Sequence, residues 1–140
     1  MRSKLIFFLL FLFTLSFNVQ AKNDAGLQFG LNSTFGIHAH HEFDKKIDIR
    51  GFFYSYSGCL SSLGGAGLYK FKIDKTDGFY AGAGLQMASL SGSCTNAPFT
   101  VSGTTLYLAG GWRKDLNKDL RFNAEYNNFQ GLAVGIVYKF

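Results

Sequence analysis

The chain has 140 residues, of which 17% are aromatic, and it contains 17 glycines but a single proline. This length suits one domain. The formal net charge of +5 is modest and no basic run alternates with aromatic residues, so we expect no nucleic-acid partner. A small soluble domain would have difficulty burying so many aromatic side chains, whereas a β-barrel in lipid has a whole outer surface for them.

Residues 1–21 have the pattern of a secretory signal peptide. Arg2 and Lys4 precede an apolar run that is shorter than the roughly 20 residues needed to span a bilayer as a helix. The small-x-small pattern that ends at Ala21 is the one that signal peptidase reads. We therefore predict cleavage after Ala21 and one exported domain over residues 22–140, rather than an N-terminal membrane anchor. The predicted cleavage site has no cysteine, so we do not expect a lipoprotein.

After residue 21, apolar and polar residues alternate with a period of two, and no window keeps a helical period for long. Most alternating segments have about the 9–11 residues that a tilted strand needs to cross a bilayer. The sequence predicts eight strands, over residues 26–32, 34–43, 46–56, 63–73, 79–89, 104–113, 120–127 and 131–140. The fold class that we predict is all-β, an eight-stranded antiparallel up-and-down transmembrane β-barrel.

One face of these strands carries most of the charged side chains. Basic side chains near the middle of a bilayer would cost about 2–4 kcal/mol each if they faced hydrocarbon. We therefore predict that this face lines the lumen, where opposite charges can pair. The predicted lumen charge network consists of Asp48, Arg50, Lys70, Arg113, Arg121 and Glu125. The alternative is a soluble secreted β-protein with one wet face.

The connections alternate in character, as they do in outer-membrane barrels, which have short periplasmic turns and longer outer loops. Residues 44–45, 74–78 and 115–119 are predicted to be compact polar turns on the periplasmic side. The two longest connections, 57–62 and 90–103, are predicted to lie on the outer side.

Aromatic residues of the apolar face gather beside the predicted periplasmic turns, as in one of the two interfacial girdles of a membrane barrel. This girdle consists of Phe43, Phe71, Phe79, Trp112, Phe122, Tyr138 and Phe140. A fainter girdle toward the outer side consists of Phe35, Phe53 and Tyr126.

The last strand has apolar residues at alternate positions and ends with Tyr138 and Phe140. This ending resembles the signal that the barrel-assembly machinery reads in outer-membrane proteins. Residues 111–126 resemble the penultimate hairpin of the OmpA/OmpX-like and opacity-type small barrels. The resemblance, one of architecture and pattern, implies an outer-membrane protein that contacts outer-membrane lipid and lipopolysaccharide and is assembled by that machinery. It also implies roles in envelope integrity, adhesion or host interaction, and we expect a monomer.

Cys59 and Cys94 are the only cysteines, and the strand order places both on the outer side. The exported compartment permits a disulfide bond. We predict a Cys59–Cys94 bond that joins two outer loops, provided that the two Cα atoms lie within about 7 Å. The alternative is two unpaired thiols, and because no histidine accompanies either loop, we do not expect a reactive-cysteine enzyme.

His38 and His40 share a face with Glu42, and these three residues are the candidates for chemistry. They could bind a metal or act as base and acid. The interpretation that we favour is a hydrogen-bond network in the lumen with Asp48, Arg50, Arg121 and Glu125. On this interpretation we expect no metal and no cofactor.

Small residues on the lumen side of the fourth to sixth strands either make room for large side chains or form a pocket for an acyl chain. They are Gly64, Ala66, Gly82, Gly84, Ala109 and Gly111. An eight-stranded interior holds side chains or one small ligand, so a water-filled pore is not expected.

Two functions remain open for a membrane barrel. The one we favour is a non-enzymatic envelope protein with a structural or surface-interaction role. The alternative is a lipid-modifying or lipid-binding barrel enzyme with lipid A acyl chemistry. A lipid A deacylase would use a Ser–His pair that faces the outer leaflet, whereas the lipid-facing histidine here, His41, lies near a predicted periplasmic turn.

Overall fold

The computed structural model describes residues 23–56, 59–71, 78–90 and 101–140. Within these ranges the chain forms eight strands, β1 (Asn23–Gly30), β2 (Thr34–Glu42), β3 (Ile47–Tyr56), β4 (Leu60–Lys70), β5 (Gly78–Leu90), β6 (Val101–Asp115), β7 (Leu120–Asn127) and β8 (Gly131–Lys139). No helix in the described ranges is long and apolar enough to cross a membrane. The predicted signal peptide, residues 1–21, lies outside them and stays a prediction.

The strands close into a barrel. Each strand pairs antiparallel with the strands before and after it in the chain, and β1 also pairs with β8. At this closing pair Leu27 lies opposite Ile136, and on the other side of β1 it lies opposite Ile37. Closure removes sheet edges along the wall, as lipid demands, because unpaired backbone groups are costly in hydrocarbon. The predicted eight-stranded antiparallel up-and-down transmembrane barrel is confirmed.

The two ends of the barrel are distinguished by what they carry. Asn23 and Phe140 lie together at one end, where their backbones exchange hydrogen bonds of 3.2 and 2.9 Å. We call this the turn end, since the short connection 43–46 between β2 and β3 is also there. The opposite end, which carries the connections 31–33 and 128–130, is called the loop end.

The two faces of each strand have opposite chemistry. Large apolar side chains point outward and are exposed, for example Leu27 at 48% and Ile136 at 55%. Charged side chains point inward and are buried, Arg50 and Glu125 being 1% exposed. This distribution is the inverse of a soluble barrel and typical of strands that face lipid on the outside. It argues against the alternative of a soluble secreted β-protein.

Aromatic side chains form the predicted band around the turn end. Phe43, Phe71, Phe79 and Phe140 are between 61% and 70% exposed. Neighbouring rings contact one another, with centroid distances of 5.4 Å for Tyr69–Phe71, 6.4 Å for Trp112–Phe122 and 6.4 Å for Tyr138–Phe140. Such a band, which includes Tyr69, Trp112 and Tyr138, suits the interface between hydrocarbon and water, where the amphipathic rings of Trp and Tyr are favoured.

The bounds of β1 differ from the prediction. The strand spans Asn23–Gly30 rather than residues 26–32. It ends at Gly30 because Ser33, with a φ of 66°, reverses the chain and donates its N–H to the carbonyl of Gly30 at 3.1 Å. It begins at Asn23 because Asn23 and Asp24 continue the ladder with β2. These residues are polar, so the alternation of apolar residues did not indicate a strand there.

The bounds of β4 also differ. The strand spans Leu60–Lys70 rather than residues 63–73, because the serines at its start pair with the end of β3. The outer connection predicted over residues 57–62 therefore covers only 57–59. A serine contributes the same backbone groups to a ladder as a valine, but it gives no apolar signal in the sequence.

The longest strands are β5 and β6, with 13 and 15 residues. β5 extends to Leu90 and β6 begins at Val101, so the connection predicted over residues 90–103 covers only residues 91–100. That segment lies outside the described residues, as does most of the predicted turn 74–78. Apart from β1, β4 and β6, each strand end lies within one residue of its predicted position.

Candidate functional site

The centre of the lumen holds a fully buried ion pair. Nη1 of Arg50 on β3 lies 2.6 Å from Oε2 of Glu125 on β7, and neither side chain has exposed surface. The Glu125 carboxylate also accepts hydrogen bonds from the Tyr80 hydroxyl, from the Tyr107 hydroxyl at 3.0 Å and from Nδ2 of Asn127 at 3.0 Å. These donors compensate for the loss of water, which otherwise costs several kcal/mol for each buried ion.

The Arg50 guanidinium is satisfied in the same way. Its Nε donates to Nε2 of His40 at 2.6 Å, and its two Nη atoms donate to the hydroxyls of Tyr107 and Tyr80 at 3.1 and 3.4 Å. Since arginine only donates, Nε2 of His40 must be the acceptor, and the ring proton therefore sits on Nδ1. That Nδ1 donates to the carboxylate of Asp24. Both nitrogens of His40 are thus in use within the network.

The three candidates for chemistry do not form one site. His40 is held between Arg50 and Asp24, whereas Glu42 pairs with Lys70 at 3.1 Å toward the turn end. His38 packs edge-on against His40 with ring centroids 4.7 Å apart, and neither of its nitrogens has a hydrogen-bond partner. In the described ranges no cluster of three or more His, Cys, Asp or Glu side chains could hold a metal ion.

Aromatic side chains fill the lumen between the ion pair and the loop end. Phe52 packs on Tyr54 and Tyr107 with centroid distances of 4.8 and 4.2 Å, and Phe129 stacks on Tyr54 at 6.0 Å. Gly64 of the wall makes room for one of these rings. A Cβ on Gly64 would collide with the Phe52 ring. Gly64 therefore has a steric role, and large side chains occupy this part of the lumen, where an acyl chain would need space.

A second layer of ion pairs lies toward the turn end. Asp48 accepts from Nη1 of Arg113 at 2.7 Å and from Nζ of Lys70 at 3.0 Å. Arg121 pairs with Asp24 at 3.0 Å and with Asp115 at 2.8 Å. The six residues of the predicted lumen charge network therefore all lie inside the barrel, divided between this layer and the central pair.

Sequence reasoning missed two members of the turn-end layer. Asp24 lies on β1 before the predicted start of that strand, and Asp115 was assigned to a turn although it ends β6. Counting back in steps of two from Gln28 reaches Asp24, so strand parity would have found it. Asp115 also pairs with Nζ of Lys139 at 3.2 Å, which brings β6 and β8 together.

The predicted assembly signal and Cys59 lie at opposite ends of the barrel. Tyr138 and Phe140 are exposed at the turn end, with 54% and 68% of their surface accessible. Cys59 follows β3 at the loop end, where its N–H donates to the carbonyl of Tyr56 at 3.1 Å. Cys94 lies outside the described residues, so its pairing with Cys59 stays a prediction.

The comparisons with known proteins concern the fold. No protein-family model matches the chain, and no curated protein matches it significantly. The N-terminal β-barrel domain of Pseudomonas aeruginosa OprF superposes with a TM-score of 0.66 at 13% identity, over 86% of this chain and 96% of that one. The de novo designed protein TMB2.3 superposes with a TM-score of 0.57 at 16% identity, over 86% and 93%.

A structure from the de novo design of transmembrane β-barrels superposes with a TM-score of 0.54 at 14% identity, over 86% of this chain and 94% of that one. At such identities the likeness is one of fold. The chain therefore has the fold of the small eight-stranded β-barrels of the outer membrane.

Proposed function

We propose that this protein is an integral protein of the bacterial outer membrane with a structural or surface-interaction role. The apolar outer wall, the aromatic band at the turn end and the fold shared with the OprF barrel support the location. On this proposal outer-membrane lipid and lipopolysaccharide contact the wall, and the barrel-assembly machinery recognises Tyr138 and Phe140. The observation that carries a surface role is the open edge of β6 at the loop end.

The β5–β6 ribbon rises above the neighbouring strand β7. β5 pairs with β6 as far as Leu90 and Val101, whereas β7 pairs with β6 only from Ala109 onward. Beyond Ala109, the side chain of Asn128 rather than a strand hydrogen-bonds to the edge of β6. Its Oδ1 accepts from the N–H of Leu108 at 3.0 Å, and its Nδ2 donates to the carbonyl of Leu106 at 2.7 Å.

Beyond Leu106 the edge of β6 has no strand beside it among the described residues. The backbone N–H of Leu108 points toward Asn128. Because backbone N–H and C=O groups alternate sides along a strand, those of Thr104 and Ser102 point to this same open side. A row of unpaired N–H and C=O groups is a template for an added strand. The partner that fits this edge is an extended peptide segment of another protein.

Accessibility on intact cells tests the orientation. An epitope inserted within residues 91–100 should bind antibody on intact cells. The matched control is an epitope inserted after Asn117, in the β6–β7 turn, which should bind only after the outer membrane is permeabilised. The reverse pattern would refute the proposed surface role of the ribbon.

A proline at the open edge tests the docking of a strand. Thr104→Pro removes one N–H from the open side and leaves the hydrogen bonds to β5 in place, whereas Thr104→Ala retains that N–H. The probe is an array of immobilised ten-residue peptides with alternating valine and threonine. Thr104→Pro should weaken binding about tenfold, as expected for a lost backbone hydrogen bond. Equal binding by both variants, or none by the parent protein, would refute strand docking.

A groove in the lipid-facing wall supports a second candidate function, the binding of a lipid acyl chain. Its volume is about 630 Å³, and its floor consists of Ala25, Ala39 and Gly51, which lie side by side on three strands. Gly51→Leu would fill the groove without a clash, since a Cβ there meets nothing within 4 Å, and the same holds for the control Gly67→Leu outside it. Native mass spectrometry should show retained lipid lost only with Gly51→Leu. Equal retention in both variants would refute this candidate.

We also propose that export removes residues 1–21 and that Cys59 and Cys94 form a disulfide bond. The apolar segment before Ala21 supports export, and the position of Cys59 at the loop end supports a bond in an oxidising compartment. The mass of the purified protein tests export, because cleavage after Ala21 leaves Lys22 as the first residue. An intact N-terminus at Met1 would refute it.

A further inference from the structure

We infer that the turn end of the lumen is a binding site for a small oxyanion such as a phosphate group, held by Arg113 and Lys118. A cavity of about 360 Å³ opens there between the turn-end ion pairs and the barrel rim. This volume lies within the range of sites for small ligands. The inference does not depend on the surface role proposed above, because it concerns the opposite end of the barrel.

Cationic side chains predominate in the wall of this cavity. It is lined by five of them, Lys70, Arg113, Lys118, Arg121 and Lys139. Three carboxylates, those of Asp24, Glu42 and Asp48, line the same cavity. When Asp115, which pairs with Arg121 and Lys139, is included, the basic side chains still exceed the acidic side chains by one. An anion that enters is therefore attracted rather than repelled.

Three of the five basic side chains already pair with carboxylates. Lys70 pairs with Glu42 and Asp48, and Arg121 pairs with two carboxylates. Lys139 pairs with a carboxylate and also donates to the carbonyl of Asn117 at 3.2 Å. None of the three is available as a principal ligand for a guest, although each adds to the positive potential of the cavity.

Arg113 is different, since it is buried and only partly satisfied. It is 3% exposed, its Nη1 donates to Asp48 and its guanidinium carbon lies 4.2 Å from the centroid of the Tyr80 ring. Its Nη2 is buried without a hydrogen-bond partner in the described part of the chain. Arginine cannot deprotonate to relieve this, so the donor would gain from an acceptor that a guest supplies. That donor belongs to a side chain of the cavity wall.

Lys118 supplies the second contact. It is exposed in the β6–β7 turn, lines the cavity and makes no hydrogen bond or ion pair with the described residues. A planar guanidinium and a mobile ammonium together suit a tetrahedral oxyanion, which offers several acceptor oxygens. A cation is disfavoured because every carboxylate of the wall already has a basic partner.

The phosphate group could belong to a free anion or to a lipid headgroup at the rim, where exposed Phe140 also lines the cavity. Both sources offer the same chemistry to Arg113 and Lys118. The test uses the full-length mature protein in maltoside micelles without phospholipid. Inorganic phosphate is titrated at constant ionic strength against chloride, and the amide signals of Arg113 and Lys118 are followed by NMR. A second arm adds short-chain phosphatidic acid as a competitor.

We expect saturable shifts with phosphate and none with chloride. Lys118→Gln should weaken phosphate binding about threefold to fivefold, as for an exposed ion pair. Arg113→Lys, which keeps the charge but removes the second guanidinium nitrogen, should weaken it tenfold or more. Lys114→Gln is the matched control, because this exposed lysine of β6 does not line the cavity.

Displacement of phosphate by phosphatidic acid would assign the site to a lipid headgroup, and its failure to compete would assign the site to a free anion. Three outcomes would overturn the inference: NMR shifts that rise linearly with phosphate concentration without saturating, shifts of equal size with chloride, or phosphate binding that is unchanged in Lys118→Gln and Arg113→Lys. They would mean that water alone satisfies Nη2 of Arg113. Because Lys118 is exposed, Lys118→Gln is expected to fold and keeps the test decisive even if Arg113→Lys does not.

Discussion

Nη1 of Arg50 and Oε2 of Glu125 meet at 2.6 Å across the lumen, on strands that are far apart in the sequence and not adjacent in the barrel. The pair therefore links opposite parts of the wall. Four further side chains donate to Glu125, which leaves its charge compensated without water. If either side chain turned outward its charge would face hydrocarbon, so this contact favours the inward orientation of both.

Removal of one partner from this pair should be costly. We expect Glu125→Leu to lower the free energy of unfolding by about 3–5 kcal/mol, because Arg50 would remain charged and buried. The double variant Arg50→Met/Glu125→Leu should be less destabilised than the sum of the two single variants. Urea unfolding of the barrel in lipid vesicles measures both effects. Additive losses would mean that the two side chains are not coupled.

The environment of the outer wall can be tested with a charge at mid-height. Leu27 is 48% exposed and lies opposite Ile136, between the aromatic side chains of the two ends. Leu27→Arg should destabilise the barrel by about 2–4 kcal/mol if hydrocarbon surrounds this position. Tyr126→Arg, near the loop end, should cost about 0–1 kcal/mol. If both variants had the same small effect on unfolding in vesicles, water rather than lipid would surround the wall.

The eight strands and their inward faces could be predicted from the sequence because alternation has a period of two in a strand. Arg50, Lys70 and Glu125 were placed inside by that parity together with the cost of charge in lipid. The pairing of these charges could not be predicted in the same way. Which cation meets which carboxylate depends on the tilt and stagger of the closed sheet, and these are not encoded by any local pattern.

Asp24 shows why strand ends were the weakest part of the prediction. It belongs to β1 because its backbone pairs with His40, and its side chain accepts from Nδ1 of that residue. Neither contact leaves an apolar signal in the sequence. The unsatisfied Nη2 of Arg113 was equally invisible, since parity places a side chain in the lumen but does not count its donors.

The glycines of the wall differ in what a methyl group would meet. A Cβ on Gly84 of β5 would collide with the backbone carbonyl of Gly65 and with Ala66, whereas a Cβ on Gly67 of β4 meets nothing within 4 Å. Gly84→Ala should therefore cost about 1–3 kcal/mol through backbone displacement. Gly67→Ala should be neutral or slightly stabilising. Equal stability of the two variants would contradict the close approach of β4 and β5 at this level.

The proposed disulfide bond predicts a specific pattern of alkylation. Because Cys59 lies at the loop end, it would be held in an oxidising compartment, and neither it nor Cys94 should react with iodoacetamide before reduction. Cys59→Ser should make Cys94 reactive and lower the free energy of unfolding by about 2–4 kcal/mol, within the usual range for a closed loop. Mass spectrometry with and without reductant measures the alkylation. If both cysteines of the parent protein were alkylated without reductant, the bond would not exist, and the β3–β4 turn would not be tied to the segment that follows β5.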